Sequence, residues 1–429
     1  MKVIIGLVIG IYIARYLGPV QFGKLSYAVS FTGLFMILTA LGLDNIVIRE
    51  LVRYHSQAVI AEVLGASFFL RIIASIFAFL LMASVAVFMP VGHDETLMIL
   101  IIGASFFFLS ANIIVLYFQA RVEAKFTVYA QVLQIICSAI IKIILVQIKA
   151  PLVFFAWALL FDSLVLAILL FCVYLKREGF ASFRAWNFRR SKARMLLRDS
   201  WPLLVAGFTV TAYMKVDQIM IRQMLDPGAV GIYAVAVRIS EVWYFVPVVI
   251  TTSVFPAIIR ARRNDLGVYT KRLQQLFNLM PVLALCIALP VSFLSADIVE
   301  ILFGTQFGEA GSVLAIHVWA CIFVFLQDAA WRWYVAENKQ VIGIRWLLIG
   351  LLSNVVLNYF VIPRWGILGA AWTTLIARGL AGYLGHMFSG ETRSLFWMLT
   401  RSLLFLDVII FFTSGRFSNS CKVLLGTGK

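Results

Sequence analysis

The chain has 429 residues, of which 62% are hydrophobic and 13% charged; its mean hydropathy is +0.98 and its net charge +16. Soluble domains are about 45–50% apolar and about 25% charged, so a soluble fold is excluded. Runs such as residues 68–89 are solidly apolar and lack the alternation of barrel strands, which leaves membrane-spanning helices of about 20 residues.

Thirteen apolar segments follow in chain order, at 3–17, 25–48, 59–89, 96–118, 126–147, 151–175, 201–224, 230–258, 273–296, 311–331, 341–362, 367–388 and 395–413. The first is expected to be a retained span, because "IARYLG" makes a poor signal-peptidase site. Between the first and second spans the chain reads Arg15-Tyr16-Leu17-Gly18-Pro19, then Phe22-Gly23, a place for a helix to stop and restart. The fifth span carries Gln131, Gln134, Ser138 and Lys142 on one helical face, and the seventh carries Lys215, Gln218 and Arg222. The longest polar stretch, residues 176–200, separates spans six and seven. After the thirteenth span comes a polar tail, residues 414–429.

The positive charge is read by location. With the N-terminus in the cytoplasm, the inside segments hold 21 Lys and Arg, eight of them within 176–198. The outside segments hold four, namely Arg15, Lys24, Lys149 and Arg364. That asymmetry is the positive-inside pattern; it accounts for the basic charge without a nucleic-acid partner. Of the five cysteines, Cys137, Cys172, Cys286 and Cys321 lie in apolar stretches and Cys421 in the tail; they form no CxxC and read as small apolar residues.

Residues 17–29 align with 225–237. The offset matches Leu17 with Leu225, Pro19 with Pro227, Gly23 with Gly231, Ala28 with Ala236 and Val29 with Val237. A second offset pairs Ala120 with Ala336, Ser138 with Asn354 and Lys142 with Asn358. Spans 1–6 and 7–12 therefore read as parallel copies, as in some transporters. The expected division is residues 1–199 and 200–390 as two six-helix halves, with 391–429 as an extra helix and tail.

The stretch 14–51, with its Arg-Tyr-Leu-Gly-Pro-x-x-Phe-Gly turn and Gly42-Leu43-Asp44, resembles the opening of Wzx-type polysaccharide flippases of the multidrug/oligosaccharidyl-lipid/polysaccharide exporter superfamily, and "FGEAGSVLAI" (307–316) adds to the resemblance. The resemblance implies an all-α integral membrane protein of 12–14 helices in two six-helix lobes around a central cavity, and the segments counted here put this chain at 12–13 spans. It implies a substrate of undecaprenyl-pyrophosphate-linked oligosaccharide, such as an O-antigen repeat unit, turned from the inner to the outer leaflet of a bacterial cytoplasmic membrane. A polysaccharide polymerase and a chain-length regulator are the implied partners.

Charges in the bilayer cost about 2.5–3.5 kcal/mol each, yet Arg71, Lys142, Lys215, Asp217, Arg222, Arg238, Glu241, Arg345 and Arg378 lie in or near spans. The basic excess suits an anionic headgroup. Lys142, Lys215, Arg222 and Arg71, with Gln131, Gln134, Ser138 and Gln218, are the expected substrate contacts. Asp217, Glu241 and Asp162 are the expected ion-coupling groups. The competing structural roles are snorkelling for Arg222, an Arg238–Glu241 pair one helical turn apart, and a helix-capping role for Asp44 and Asn45. No catalytic constellation, metal-ligand spacing or cofactor motif stands out, and the histidines His55, His93, His317 and His386 are scattered. A multidrug or cation antiporter would favour acidic cavity residues. A glycan polymerase or ligase would carry a large outside loop, whereas the longest here is about 15 residues.

Overall fold

The computed structural model describes residues 2–54 and 56–405. The helices, in order, are α1 (Lys2–Ala40), α2 (Asp44–Arg53), α3 (Gln57–Phe88), α4 (His93–Gly103), α5 (Ile113–Ala120), α6 (Lys125–Gln147), α7 (Leu152–Arg184), α8 (Arg190–Met224) and α9 (Pro227–Glu241). They continue as α10 (Phe245–Asn264), α11 (Leu266–Phe293), α12 (Ser295–Phe303), α13 (Ala310–His317), α14 (Ala320–Ala336), α15 (Gln340–Gly382) and α16 (Arg393–Leu403). A 3₁₀ segment, Ala104–Asn112, joins α4 to α5. No strand occurs among the described residues.

Among the described residues, ten helical segments are long and apolar enough to cross a bilayer. Two of them, Ile5–Arg53 and Gln340–Phe388, run to 49 residues, more than twice one crossing. Each is broken by a glycine in the left-handed region, Gly18 at φ 70° and Gly366 at φ 58°, which an L-residue adopts only with strain. Both breaks fall where the sequence predicts a boundary between spans. Dividing the two long segments there gives twelve helical segments in the order of the first twelve expected spans, the first of them, residues 5–17, shorter than one full crossing. Of the thirteenth, α16 is described; the part beyond residue 405, the tail with Cys421, and His55 lie outside the described residues.

The chain forms two compact units. Unit one comprises Met1–Arg238, Val299–Gly311 and Asn358–Ala370. Its axis is the antiparallel packing of the second half of α1 on α8. Tyr27 lies under Arg222, Ser30 bonds Gln218, Gly33 faces Lys215, and Ile37 faces Gly207. α3 shows how the sequence chooses its inward face. Ser67, Arg71, Ala74, Ser75, Ala78 and Met82 are buried, while Ile73, Phe77 and Leu80 are exposed. Small and polar residues turn inward and large apolar ones face outward, as expected when lipid replaces water outside. The repeated turn packs on its own copy. A Cβ on Gly23 would lie 1.7 Å from the Pro227 carbonyl oxygen, and one on Gly231 would lie 2.0 Å from that of Pro19.

Unit two comprises Ile239–Ile298, Ser312–Leu357 and Ala371–Lys429. α10, α11, α14 and α16 enclose a core around Phe277, Met280, Phe325 and Leu399. Some of its polar side chains pair within the unit: Thr251 donates to Asp328 at 2.6 Å, and Gln274 donates to Asn278 and Ser402 at 2.9 and 3.0 Å. The cysteines Cys137, Cys172, Cys286 and Cys321 are free.

Candidate functional site

A cavity of about 550 Å³ lies inside unit one. Its wall takes Gly33, Thr39 and neighbours from α1, Asp44 and Asn45 from α2, and Arg71 from α3. Asn112, Gln119, Gln131 and Thr211 complete the polar lining. Arg71 is 3% exposed and donates to the Asp44 carboxylate, so its charge is neutralised at the wall. Asp44 therefore spends its side chain on Arg71; it opens α2 without capping it, and the residue before it, Leu43, makes no side-chain cap. The remaining lining groups are amides and hydroxyls, which both donate and accept hydrogen bonds.

From α8 only Thr211 lines this cavity; the polar stripe of Lys215, Gln218 and Arg222 lies outside the lining. Lys215 lies one turn beyond Thr211 and its stem passes Gly33, whose Cβ position is 3.9 Å from the Lys215 Cγ. The side chain is half-buried, and among the described residues its ammonium has no hydrogen bond or ion pair. The rest of the stripe is engaged. Gln218 accepts from Ser30 at 2.7 Å. Arg222 binds Glu95 in bidentate fashion, both bonds 2.7 Å, with the Glu95 side chain 1% exposed.

On α6 only Gln131 reaches the cavity lining. Lys142 donates to Ser138 at 2.7 Å and to Asp162 of α7 at 2.5 Å, which makes it half of a largely buried ion pair. Gln134 is half-buried and lies outside the lining. Of the expected acids, Asp162 is the partner of Lys142. Asp217 is buried and accepts from Tyr233 at 2.9 Å and Asn358 at 2.7 Å. Glu241 is half-buried in unit two. Arg238 turns to α1, donating to the Gly6 carbonyl at 2.9 Å.

Five polar contributors were not legible as site residues: Thr39, Glu95, Asn112, Gln119 and Thr211. Asn112 and Gln119 carry a signal, being seven residues apart and on one face of an otherwise apolar run. Glu95 sits in the short "HDET" stretch, where an acid reads as a loop residue; it bonds both the Gly92 N–H, at 3.1 Å, and Arg222.

A family model described as polysaccharide biosynthesis protein matches residues 1–262, more than half of the chain. A probable flippase of Haloferax volcanii, AglR, is 28% identical over 177 residues, which are 40% of this chain and 37% of that protein. An uncharacterised membrane protein of Methanocaldococcus jannaschii is 23% identical over 401 residues, 85% of this chain and 77% of its own length. Among solved structures, an inward-facing multidrug resistance MATE family transporter of the MOP superfamily superposes with a TM-score of 0.77 at 12% identity, covering 94% of this chain and 96% of that one. The lipid II flippase MurJ, in an inward closed conformation, gives 0.73 at 16% identity, covering 99% and 93%. At these identities the two structures establish the fold.

Proposed function

The chain belongs to the polysaccharide biosynthesis protein family, and on that premise we propose that it moves lipid-linked oligosaccharide from one leaflet of its membrane to the other. The observation that carries the proposal is the Lys215 side chain, half-buried and without a partner among the described residues, one helical turn from Thr211 of a cavity whose uncharged polar lining is amides and hydroxyls. An unpaired charge inside the membrane is costly, about 2.5–3.5 kcal/mol, and a phosphate of the carrier lipid offsets that cost when it arrives. The amide lining suits sugar hydroxyls. The relatives named as flippases support the same substrate class.

More finely, the substrate is proposed to be a polyprenyl-pyrophosphate oligosaccharide of the undecaprenyl, O-antigen-like kind. The membrane is proposed to be the bacterial cytoplasmic membrane with the N-terminus inside, and a polymerase and a chain-length regulator act downstream. Two six-helix lobes, 1–199 and 200–390, are proposed as the moving halves, with 391–429 as an addition; the repeated turn supports this division. Lys215 carries the phosphate contact, with Arg71, Gln131 and Gln218 around it. Lys142, Ser138, Gln134 and Arg222 shape the path through their own pairs. Ion coupling is assigned to Asp217, ahead of Glu241 and of the already paired Asp162. A multidrug antiporter shares the fold; a partner-free cation beside the cavity disfavours cationic drugs as cargo.

The test is transport of a fluorescent polyprenyl-pyrophosphate oligosaccharide across vesicles bearing the purified protein. Lys215→Ala is expected to abolish most transport per inserted molecule, and Lys215→Arg to keep part of it. Wild-type transport by Lys215→Ala would remove Lys215 from the mechanism.

A further inference from the structure

One end of unit one joins α2 to α3, α5 to α6 and α7 to α8, and four of its cations lie in two pairs, each pair on one aromatic ring. Arg53 and Lys192 both lie over Tyr54, 5.7 and 4.6 Å from its centroid. Lys125 and Arg177 both lie over Phe126, at 5.1 and 3.7 Å. Among the described residues none of these four cations has a carboxylate partner. Three of the neighbouring acids are already taken, while Glu123, in the connection from α5 to α6, has no side-chain partner among the described residues. Asp199 pairs with Arg49 at 2.6 Å, Glu178 with Arg121 at 2.7 Å, and Glu62 with Arg189 at 2.5 Å.

A ring face attracts a cation but brings no negative charge to separate two of them. Two cations gathered on one ring repel each other, and an anion seated between them removes that repulsion. A phosphodiester fits, because its oxygens accept charge-assisted hydrogen bonds from Lys and Arg together. The adjoining connection adds an apolar element. Gly179, at φ 79°, turns the end of α7 aside. Beyond it, Phe180 and Phe188 stand 66% and 47% exposed beside the basic residues. A soluble anion has no use for exposed rings, whereas a bilayer surface offers both headgroup charge and acyl carbon. The positive-inside asymmetry requires a count of charges; it does not require their pairing on rings.

We propose that this end of unit one binds anionic phospholipid at two headgroup sites, Arg53 with Lys192 and Lys125 with Arg177, while Phe180 and Phe188 enter the acyl boundary. The site is separate from the cavity at Arg71 and does not depend on what the cavity carries. Clusters of basic residues next to membrane spans recognise acidic lipids in this way.

The test is lipid retention by the full chain purified in neutral detergent, counted by native mass spectrometry with phosphatidylglycerol, phosphatidylcholine or inorganic pyrophosphate added. Two phosphatidylglycerol molecules are expected to be retained in preference to phosphatidylcholine. Each double variant, Arg53→Gln with Lys192→Gln or Lys125→Gln with Arg177→Gln, is expected to lose one of them, with binding weakened about fivefold per charge removed. The charge-preserving exchange Arg53→Lys with Lys192→Arg is expected to retain both, and it stands in if a neutralised variant fails to insert. Equal retention of phosphatidylcholine, unchanged binding in the four-residue variant, or displacement of the lipid by pyrophosphate at matching concentration would each overturn the proposal.

Discussion

Adding one methyl group where the two repeated turns cross tests the packing of unit one. The Gly23 Cβ position lies 1.7 Å from the Pro227 carbonyl oxygen, and ordinary contact begins near 3.4 Å. Gly23→Ala must therefore open the crossing by roughly 1.7 Å, the difference of those two distances. The obstacle is backbone on both sides, so no side-chain rotation relieves it. Overpacking in a close-packed interior costs about 1–3 kcal/mol, and a rigid obstacle places Gly23→Ala at or above the top of that range. Gly231→Ala, facing the Pro19 carbonyl at 2.0 Å, is expected to cost nearly as much. Once either substitution has opened the crossing, the other meets less resistance, so the double variant is expected to cost less than the sum. Gly6→Ala is the control, since nothing lies within 4 Å of its Cβ position; its expected change is a gain of up to about 1 kcal/mol from helix propensity. The assay is reversible unfolding of the purified chain in mixed micelles. A Gly23→Ala cost within about 0.5 kcal/mol of zero, the usual range for surface substitutions, would refute the close crossing.

Lys142 and Asp162 form a largely buried pair. Lys142→Met alone is expected to destabilise by about 3–5 kcal/mol, and Lys142→Met with Asp162→Leu to recover most of that loss; transport per inserted molecule should survive in the double variant, and normal abundance with abolished transport in Lys142→Met would return Lys142 to the substrate path. Glu337 gives a pH-dependent handle outside the spans. Burial raises its carboxyl pKa, but hydrogen bonds from Arg262 at 2.9 and 3.2 Å and from Tyr269 at 2.8 Å more than reverse this, leaving it below the ordinary value. Its stabilising contribution is complete above the unfolded pKa of about 4.3 and is lost as pH falls through the lower folded value. Glu337→Gln is therefore expected to be less stable than wild type at neutral pH, with the two stabilities converging in acid; a constant gap down to strongly acidic pH would contradict the assignment.

What the sequence determined by itself is the part of the architecture that depends on local composition. The spans are legible because each must bury about 20 apolar residues in lipid. The breaks at Gly18 and Gly366 are legible because Gly and Pro punctuate helices wherever they fall. The repeated Pro19–Gly23 and Pro227–Gly231 turns could be matched by residue identity, but their mutual packing could not, because contact between positions 208 apart leaves no local signature. The same limit governs the site. Helical spacing placed Lys142 and Lys215 alike on polar stripes. Only the tertiary structure supplied Asp162 to the first and left the second without a partner one helical turn from the cavity lining. It also gave Arg222 the acid of Glu95, more than a hundred residues away, and moved Asp44 from a presumed cap to Arg71. Whether a charge in the membrane is neutralised or available depends on which helices become neighbours, and that is settled by packing of whole faces.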